Sequence, residues 1–546
     1  ETLKIASIEG EAFTAEVVAR VQTVDERLMV RQLSGELDQQ HRLVNSLGSQ
    51  RIGPGSQRLS HYRFRHILFQ RYLYHSLAEA ERVYLHEAVG NELERLYGEQ
   101  TEEVAVELAR HFEAARLVVK AVHYLHQAGS RAVWLSAHGE ALGLFKRGLA
   151  LLETLPEAPE RNRQELTLQI ALIAPLVAAQ GYGAADLGKA YGRAQELCEK
   201  VMEPGQLFLV LYGSWGYNLV RMDFRMATEL AQRCLTLAES SQNRALLLEG
   251  HRMVGEIAFY RGDFAPARQH LEQSYFLYDP HLHHVHASIY GQDPKVALLS
   301  NGSWNLWHLG YPDQALKWVQ EALALAQDWP HPFSLAFALE YASILHQLRG
   351  EGQAAHARAE AAITLSTEQG FVMWLTMANI LRGWTLVEQG EIEEGVVQMR
   401  ESLAAYRAMG IEWSTPYFVT LLAKAYGQVR QAQAALDLLA EALAAVEKTV
   451  GHYWEAELHR LKGELLLQAE ATAEAEKCFW QAIEVARRQE AKSLELRAVL
   501  SLSRLWQEQG RKKEARQRLA EIYNWFTEGF DTADLKEAKV LLEELA

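Results

Sequence analysis

The chain has 546 residues, a formal net charge of −15 and a pI near 5.8, so we expect it to bind neither nucleic-acid phosphates nor an anionic membrane. Its three cysteines, Cys198, Cys234 and Cys478, are far apart and form no CxxC, which is typical of a reducing compartment and predicts a cytoplasmic location. No apolar run approaches the roughly 18 residues that a membrane-spanning helix needs, and no signal peptide opens the chain.

Residues 1–98 are not repetitive and are predicted to form a winged-helix-like domain. Helical patterns cover Leu3–Ile8, Ala15–Val21 and Asp25–Leu37. Extended runs at His41–Ile52 and Arg58–Phe64 flank Gly53-Pro54-Gly55, a turn sequence that predicts a β-hairpin. Helices are predicted again at His66–Leu77 and Ala80–Tyr97. Through Gly98 there are 12 Lys and Arg against 13 Asp and Glu, a balance that favours a structural or relay role over DNA binding.

Residues 99–204 are predicted to be the irregular helical start of a repeat stack. Three helices are expected at Glu102–Ala114, Leu117–Ala137 and Gly139–Leu155, with a break at Pro156–Pro159. Two further helices are expected within residues 162–202, around Gly181-Tyr182-Gly183.

Residues 205–546 carry small residues at a 40-residue period. They are Ser303, Ser343, Gly383, Ala423, Gly463 and Ser503, and a second small residue follows each by twelve positions: Ala315, Ala355, Gly395, Ala435, Ala475 and Ala515. Upstream, the pairs are Gly255/Ala267 and Trp215/Ala227. Because two antiparallel helices approach closely only where facing side chains are small, each pair predicts the crossing of helix A and helix B of one hairpin. The period predicts an all-α superhelix of tetratricopeptide-type repeats.

Glycines mark the predicted end of helix A. They lie five positions before the second small residue and supply the left-handed helix stop: Gly262, Gly310, Gly350, Gly390 and Gly510. One step, from 255 to 303, is 48 residues long, and its extra residues fall within Asp279–Asp293, where an inter-repeat loop is expected.

Two groups of residues in the repeats are candidate sites. Aromatic residues recur before helix A at Phe333, Trp374, Trp413 and Trp454; they either form a row that grips a ligand or staple one repeat onto the next. The insertion contains His281, His283, His284 and His286, which are weak candidates for a metal site, because polar loops often ligate nothing.

Several segments together resemble one protein family. They are Tyr62-Arg63-Phe64-Arg65-His66, Tyr290-Gly291-Gln292-Asp293-Pro294, Leu309-Gly310-Tyr311-Pro312, Glu457–Leu467 and Trp525–Leu535. Together with the paired small residues twelve positions apart, these segments resemble the C-terminal halves of bacterial STAND ATPases. Those are signal-transduction proteins often fused to a class III adenylate or guanylate cyclase. The resemblance implies a winged helix followed by tetratricopeptide repeats. It also implies that His66 contacts the bound diphosphate in the parent; a His satisfied within its own fold is the alternative.

The sequence therefore predicts a non-catalytic sensor and regulatory region. No GxxxxGK[ST], cyclase aspartates, HExxH or nucleophile arrangement is present, so neither a catalytic residue nor a cofactor is expected in this chain. It begins at Glu1 in mid-pattern, and we expect it to be a piece of a longer protein. A protein segment or small molecule is expected on the concave face of the superhelix, and the upstream ATPase is the second expected partner. The alternative is a constitutive tetratricopeptide scaffold without a switching role.

Overall fold

The fold was analysed in a computed structural model that describes residues 1–52, 57–135, 137–201, 204–280, 286–328 and 331–546. The chain divides into two compact units. Unit 1 comprises Glu1–Ala179 and Lys189–Met202, and unit 2 comprises Gln180–Gly188 and Glu203–Ala546. The predicted boundary at residue 98 does not separate compact units, because one hydrophobic core runs from Ile5 to Ala128.

Unit 1 begins with a small sheet among helices. Its first elements are α1 (Thr2–Glu9), β1 (Ala12–Thr14), α2 (Ala15–Val21), α3 (Glu26–Gln32), a π-helical segment (Leu33–Gln40), β2 (Val44–Ile52), β3 (Gln57–Phe64), α4 (Ile67–Ser76) and α5 (Glu79–Tyr97). The antiparallel strands lie in the order β1-β3-β2, with Phe13 opposite Tyr62 and Val44 opposite Phe64. The antiparallel pairing of the two predicted strands is confirmed, while the predicted turn Gly53-Pro54-Gly55 lies outside the described residues. Strand β1 was not predicted, because three residues are too short to show alternation.

The rest of unit 1 is helical. A 3-10 segment (Gly98–Val104) leads into α6 (Ala105–Ala114), α7 (Val118–Trp134), α8 (His138–Glu153), α9 (Pro159–Gln180) and α10 (Ala185–Val201), of which the last two cross the division between the units. A Cβ built on Gly129 would lie 2.3 Å from the Phe145 ring, so α7 and α8 cross closely at this glycine.

The described residues of unit 2 form a stack of eight helical hairpins. The A helices are α11 (Pro204–Val220), α13 (Arg244–Arg261), α16 (Pro294–His308), α18 (Pro332–Arg349), α20 (Val372–Glu388), α22 (Thr415–Gln428), α24 (Glu455–Gln468) and α26 (Lys492–Glu508). The B helices are α12 (Phe224–Ser241), α14 (Phe264–Leu277), α17 (Pro312–Asp328), α19 (Gly352–Gln369), α21 (Ile392–Ala408), α23 (Ala432–Thr449), α25 (Thr472–Arg488) and α27 (Lys512–Tyr523). A short helix α15 (His286–Tyr290), a 3-10 turn (His452–Trp454) and a final helix α28 (Ala533–Glu544) complete the unit. The predicted repeat fold is confirmed.

The small-residue pairs lie where A and B helices cross. The Ser343 hydroxyl donates to the Ala355 carbonyl at 2.9 Å. A Cβ built on Gly395 would lie 2.4 Å from the Gly383 carbonyl oxygen, and one on Gly463 would lie 3.1 Å from that of Ala475. Larger side chains at these positions would force the helices apart, so the small residues set the hairpin spacing.

Left-handed residues end the helices of the central repeats at a stride of twenty. From 350 to 510 every twentieth residue has a positive φ: Gly350, Gly370, Gly390, Gly410, Arg430, Val450, Glu470, Glu490 and Gly510. The predicted glycine stops therefore hold. Four of these stops are not glycine, so composition alone does not reveal the full series.

The A helices fill the interior of unit 2. Every residue of α16 except Lys295 is buried, and α18 is buried around most of its circumference. The reason is that the chain winds back on itself, so that A helices far apart in sequence pack together through aromatic rings. The ring centroids of Tyr260 and Tyr453 are 5.3 Å apart, and those of Trp307 and Trp454 are 6.3 Å apart. An open concave face lined by these A helices, as the sequence predicted, is therefore absent from the described part of unit 2.

Candidate ligand-binding cleft

One cavity in unit 2 is a cleft of about 910 Å³. One wall is the turn between α11 and α12 with the end of α13. The other wall is the end of α21, the start of α22 and the end of α23. The walls are about 190 residues apart in sequence, so the cleft lies where one turn of the superhelix meets the next.

Backbone contacts hold the two walls together. The N–H groups of Glu412 and Trp413 donate to the Val220 carbonyl at 2.7 and 3.2 Å. A Cβ on Gly451 would lie 2.4 Å from the Phe224 ring. The two walls therefore touch at these two places, and the cleft is the space between them.

The Gly181-Tyr182-Gly183 segment makes a third close contact beside the cleft. A Cβ on Gly183 would lie 2.2 Å from the Gly410 carbonyl oxygen, and Gly183 N–H donates to the Met409 carbonyl at 3.3 Å. Arg221 donates to the Gly183 carbonyl at 2.7 Å. Any side chain at position 183 would overlap the Gly410 backbone, so only glycine fits there.

Cations outnumber carboxylates in the cleft. Five cationic side chains line it, namely Arg221, Arg225, Arg261, Arg407 and Lys448, against Asp223, Glu412 and Glu441. Two of the carboxylates pair with the same guanidinium, because Arg407 lies 3.8 Å from Glu412 and 3.1 Å from Glu441. Arg225 and Lys448 are exposed and make no ion pair among the described residues. In a chain of net charge −15, this concentration of cations favours an anionic ligand.

A second cavity of about 470 Å³ adjoins the cleft and shares Arg407 and Glu441 with it. It is a groove between α21 and α23 with α22 beneath. Its apolar residues are Leu403, Leu422, Tyr426 and Leu438, and Arg400 stands exposed in its wall. Sequence reasoning missed both cavities, because their walls come from separate repeats and share no motif.

The predicted row of aromatic side chains does not form an exposed surface. Trp374, Trp413 and Trp454 are only 2–3% exposed, and Phe333 is half-buried against Trp374 and Phe371. Trp454 Nε1 donates to the Thr420 hydroxyl at 3.0 Å. Three of the four side chains thus have no access to a ligand, and of the two interpretations the packing of one repeat onto another describes their contacts.

The histidine cluster is described only at His286. His281, His283 and His284 lie outside the described residues. His286 is buried, and its Nδ1 lies 3.0 Å from Glu249 Oε1. The described residues contain no group of three or more side chains that could hold a metal ion.

His286 belongs to a buried ion network on α13. Arg252 pairs with Glu249 at 2.9 Å and with Glu256 at 3.0 Å, and it donates to the Tyr212 hydroxyl at 2.7 Å. Burial raises the pKa of Glu256 to about 7. Burial also opposes ionisation of Glu249, but Arg252 and the His286 hydrogen bond outweigh it and lower the pKa of that carboxyl. Two carboxylates thus share one guanidinium, and of the two only Glu249 has a lowered pKa.

The same residues recur on α24. The sequence E-x-H-R-x-x-G-E occurs at Glu249–Glu256 and again at Glu457–Glu464, at equivalent positions of the two A helices. Arg460 pairs with Glu457 at 2.7 Å and contacts Glu464. This repetition is a signal in the sequence that could have revealed both networks.

The C-terminal segment docks on earlier repeats. Glu528 Oε1 accepts from the N–H groups of Asp313 and Gln314 at the start of α17, at 2.9 and 3.1 Å. Asp531 pairs with the buried Arg349 at 3.2 Å. The segments Leu309–Pro312 and Trp525–Leu535, which carried the family resemblance, therefore contact each other.

His66 is exposed at the start of α4. Its Nδ1 accepts from Leu68 N–H at 3.2 Å and caps the helix, so one ring nitrogen is satisfied locally. None of the ten residues of α4 is buried, and Leu68, Phe69 and Tyr72 are 60%, 45% and 76% exposed.

The cysteines pack in the core as small apolar residues. Cys198, Cys234 and Cys478 are all buried, and burial raises the pKa of the Cys234 thiol to about 12. Among the helices of the described residues, none is long and apolar enough to span a membrane.

No protein-family model matches the chain. It is 23% identical over 451 residues to an uncharacterized protein of Rhizobium meliloti (strain 1021), a match that covers 81% of this chain and 43% of that protein. The chain thus spans less than half the length of the curated relative that it matches.

The chain also aligns with solved structures. A Rap protein complexed with competence and sporulation factor is 13% identical, with a TM-score of 0.48, covering 68% of this chain and 99% of that one. A signal transduction ATPase with numerous domains (STAND), which has a tetratricopeptide repeat sensor and comes from Pyrococcus horikoshii, is 13% identical. Its TM-score is 0.36, and the match covers 100% of this chain and 64% of that one. At these identities the likeness concerns the fold alone.

Proposed function

We propose that this chain is the non-catalytic sensor and regulatory region of a STAND-type ATPase. A ligand bound in unit 2 controls the nucleotide hydrolysis of the parent protein and any output domain, such as a cyclase. The observation that carries the proposal is the cationic cleft whose two walls belong to successive turns of the superhelix. A ligand that contacts both walls favours the closed arrangement over any opened one, and this difference in affinity is what a sensor requires.

The N-terminal elements support the proposal. The order helix, strand, helix, helix, paired strands over residues 2–64 supports the winged-helix prediction, and its balanced charge does not suit DNA. In the parent, the exposed apolar side chains of α4 pack against the ATPase, and His66 at the start of the helix contacts the bound diphosphate. An exposed patch of this kind marks an interaction site.

The test is ATP hydrolysis by the full-length parent, measured with and without a lysate fraction that stimulates it. Arg225→Glu with Lys448→Gln reverses the cleft charge without breaking an ion pair described in the structure. We expect the stimulation to be lost while unstimulated hydrolysis is unchanged. The matched control is Arg516→Glu with Lys513→Gln on α27, where both side chains are exposed and lie outside the cleft.

Stimulation that survives the cleft variant would contradict the proposed site. A constitutive scaffold would instead bind its partner equally whether the parent holds ATP or ADP, so a pull-down in both nucleotide states separates the two functions.

A further inference from the structure

We propose that the cleft and the adjoining groove together bind an extended acidic peptide segment that carries an apolar anchor residue. This inference rests on the proposed function, since it names the ligand of the same site. Four features of the site carry it: its volume, its free cations, its apolar floor and its interleaved carboxylates.

The cleft and the groove together have more volume than a compact ligand requires. Small-molecule sites occupy roughly 300–1,000 Å³. The cleft alone has about 910 Å³, and the groove adds about 470 Å³ beyond the shared wall of Arg407 and Glu441. A ligand that contacts the whole site passes from Arg225 at one end, over Arg407, to Arg400 at the other, which suits an extended chain.

Free cations lie along this path. Arg225, Lys448 and Arg400 are exposed, and none of them makes a hydrogen bond or an ion pair within the described residues. Arg407, midway, is already balanced by Glu412 and Glu441. Carboxylates spaced along a peptide can pair with the free cations at both ends.

The groove offers an apolar floor next to Arg400. Leu403 and Leu422 are almost fully buried beneath it, and Tyr426 and Leu438 are half-buried at its sides. A large apolar side chain seated here would bury the exposed parts of those residues and act as the anchor.

The interleaved carboxylates argue against a polyphosphate or nucleotide. Asp223, Glu412, Glu441 and Asp437 also line the site and would repel closely spaced phosphates. A peptide brings backbone N–H groups, which can donate hydrogen bonds to these carboxylates.

The experiment selects ligands from a random-peptide display library on the full chain. We expect the retained peptides to be rich in Asp and Glu and to contain Leu, Ile, Phe or Met. Fluorescence anisotropy of a retained peptide then measures affinity. Arg225→Glu with Lys448→Gln should weaken binding by about tenfold or more, and raised salt should weaken it further. Arg516→Glu with Lys513→Gln should bind like the wild type.

A second pair of variants tests the groove. Ala434→Glu places a carboxylate in the groove wall, whereas Ala444→Glu makes the same change at an exposed position of the same helix outside both cavities. Only the first should weaken the peptide. Either variant can be checked for folding by circular dichroism, since both positions are exposed.

Neutral or basic retained peptides, or acidic ones that bind the cleft variant equally well, would overturn the inference. Saturable binding of ATP or tripolyphosphate that the cleft variant abolishes would overturn it in favour of a compact anion. Both measurements use this chain alone, so their failure is distinct from a failure of ligand-stimulated hydrolysis in the parent.

Discussion

The two copies of E-x-H-R-x-x-G-E show how one sequence serves two electrostatic environments. On α13, Arg252 is fully buried, and Glu249 and Glu256 share its guanidinium. On α24, Glu457 lies near two guanidinium groups, since Arg460 is at 2.7 Å and Arg497 at 3.8 Å, while Glu464 is 39% exposed. The ratio of cations to buried carboxylates, rather than the motif, therefore decides which carboxyl groups ionise.

The difference has a structural origin. The first copy is enclosed by Tyr212 from the preceding A helix and by His286 from the 48-residue step, neither of which supplies a guanidinium. The second copy meets Arg497 and Ser501 from the following A helix. Burial opposes ionisation of Glu457, but the two arginines prevail and lower its pKa to about 2.

Removal of Arg252 is expected to have the largest effect. Arg252→Ala leaves Glu249 and Glu256 buried without their cation, which costs about 3–5 kcal/mol. Hydrogen exchange of the α13 amides should report this loss as faster opening. Arg460→Ala on α24 is the matched variant, and we expect a loss of about half that size, because Arg497 and solvent still serve its partners. Equal losses would contradict the comparison.

The two copies are also expected to respond oppositely to pH. The folded pKa of Glu256, about 7, is above its unfolded value, so its stabilising contribution is complete below pH 4.5 and is lost as pH rises through 7. The contribution of Glu457 is complete above pH 4.5 and is lost only as pH falls towards about 2.

Differences in unfolding free energy between wild type and glutamine variants measure these contributions. Between pH 5 and 7 the wild type should lose about 2–3 kcal/mol relative to Glu256→Gln. Relative to Glu457→Gln it should change little over the same range. If the difference in unfolding free energy between the wild type and Glu256→Gln did not change with pH, Arg252 would be shown to keep both of its carboxylates ionised.

The smallest losses of unfolding free energy are expected when the hydroxyl groups that contact the two arginines are removed. Tyr212→Phe removes the acceptor of a buried, charged hydrogen bond to Arg252 and should cost about 1.5–3 kcal/mol. Ser501→Ala removes a 3.2 Å contact to the less buried Arg460 and should cost about 0.5–1 kcal/mol. Urea unfolding of both variants checks the order, and a larger loss for Ser501→Ala would reverse the assignment of the more buried network.

The hairpin stack was predictable from the sequence because its causes are local. Ser343 and Ala355 are twelve residues apart, and Gly350 ends the helix between them. Both requirements, a small side chain at a crossing and a left-handed stop, act within one repeat. The candidate site was not predictable in this way. Arg225 and Lys448 belong to repeats more than two hundred residues apart, and neither residue type nor spacing marks them.

The sequence by itself determined the helices, their stride and the positions at which each pair crosses, since these depend on side-chain size and backbone conformation within about 40 residues. Tertiary structure decided how tightly the stack winds, because the superhelix accumulates a small rotation at each repeat that no single repeat encodes. That winding buried Trp374, Trp413 and Trp454, enclosed Arg252 with two carboxylates, and brought Arg225 and Lys448 to one cleft.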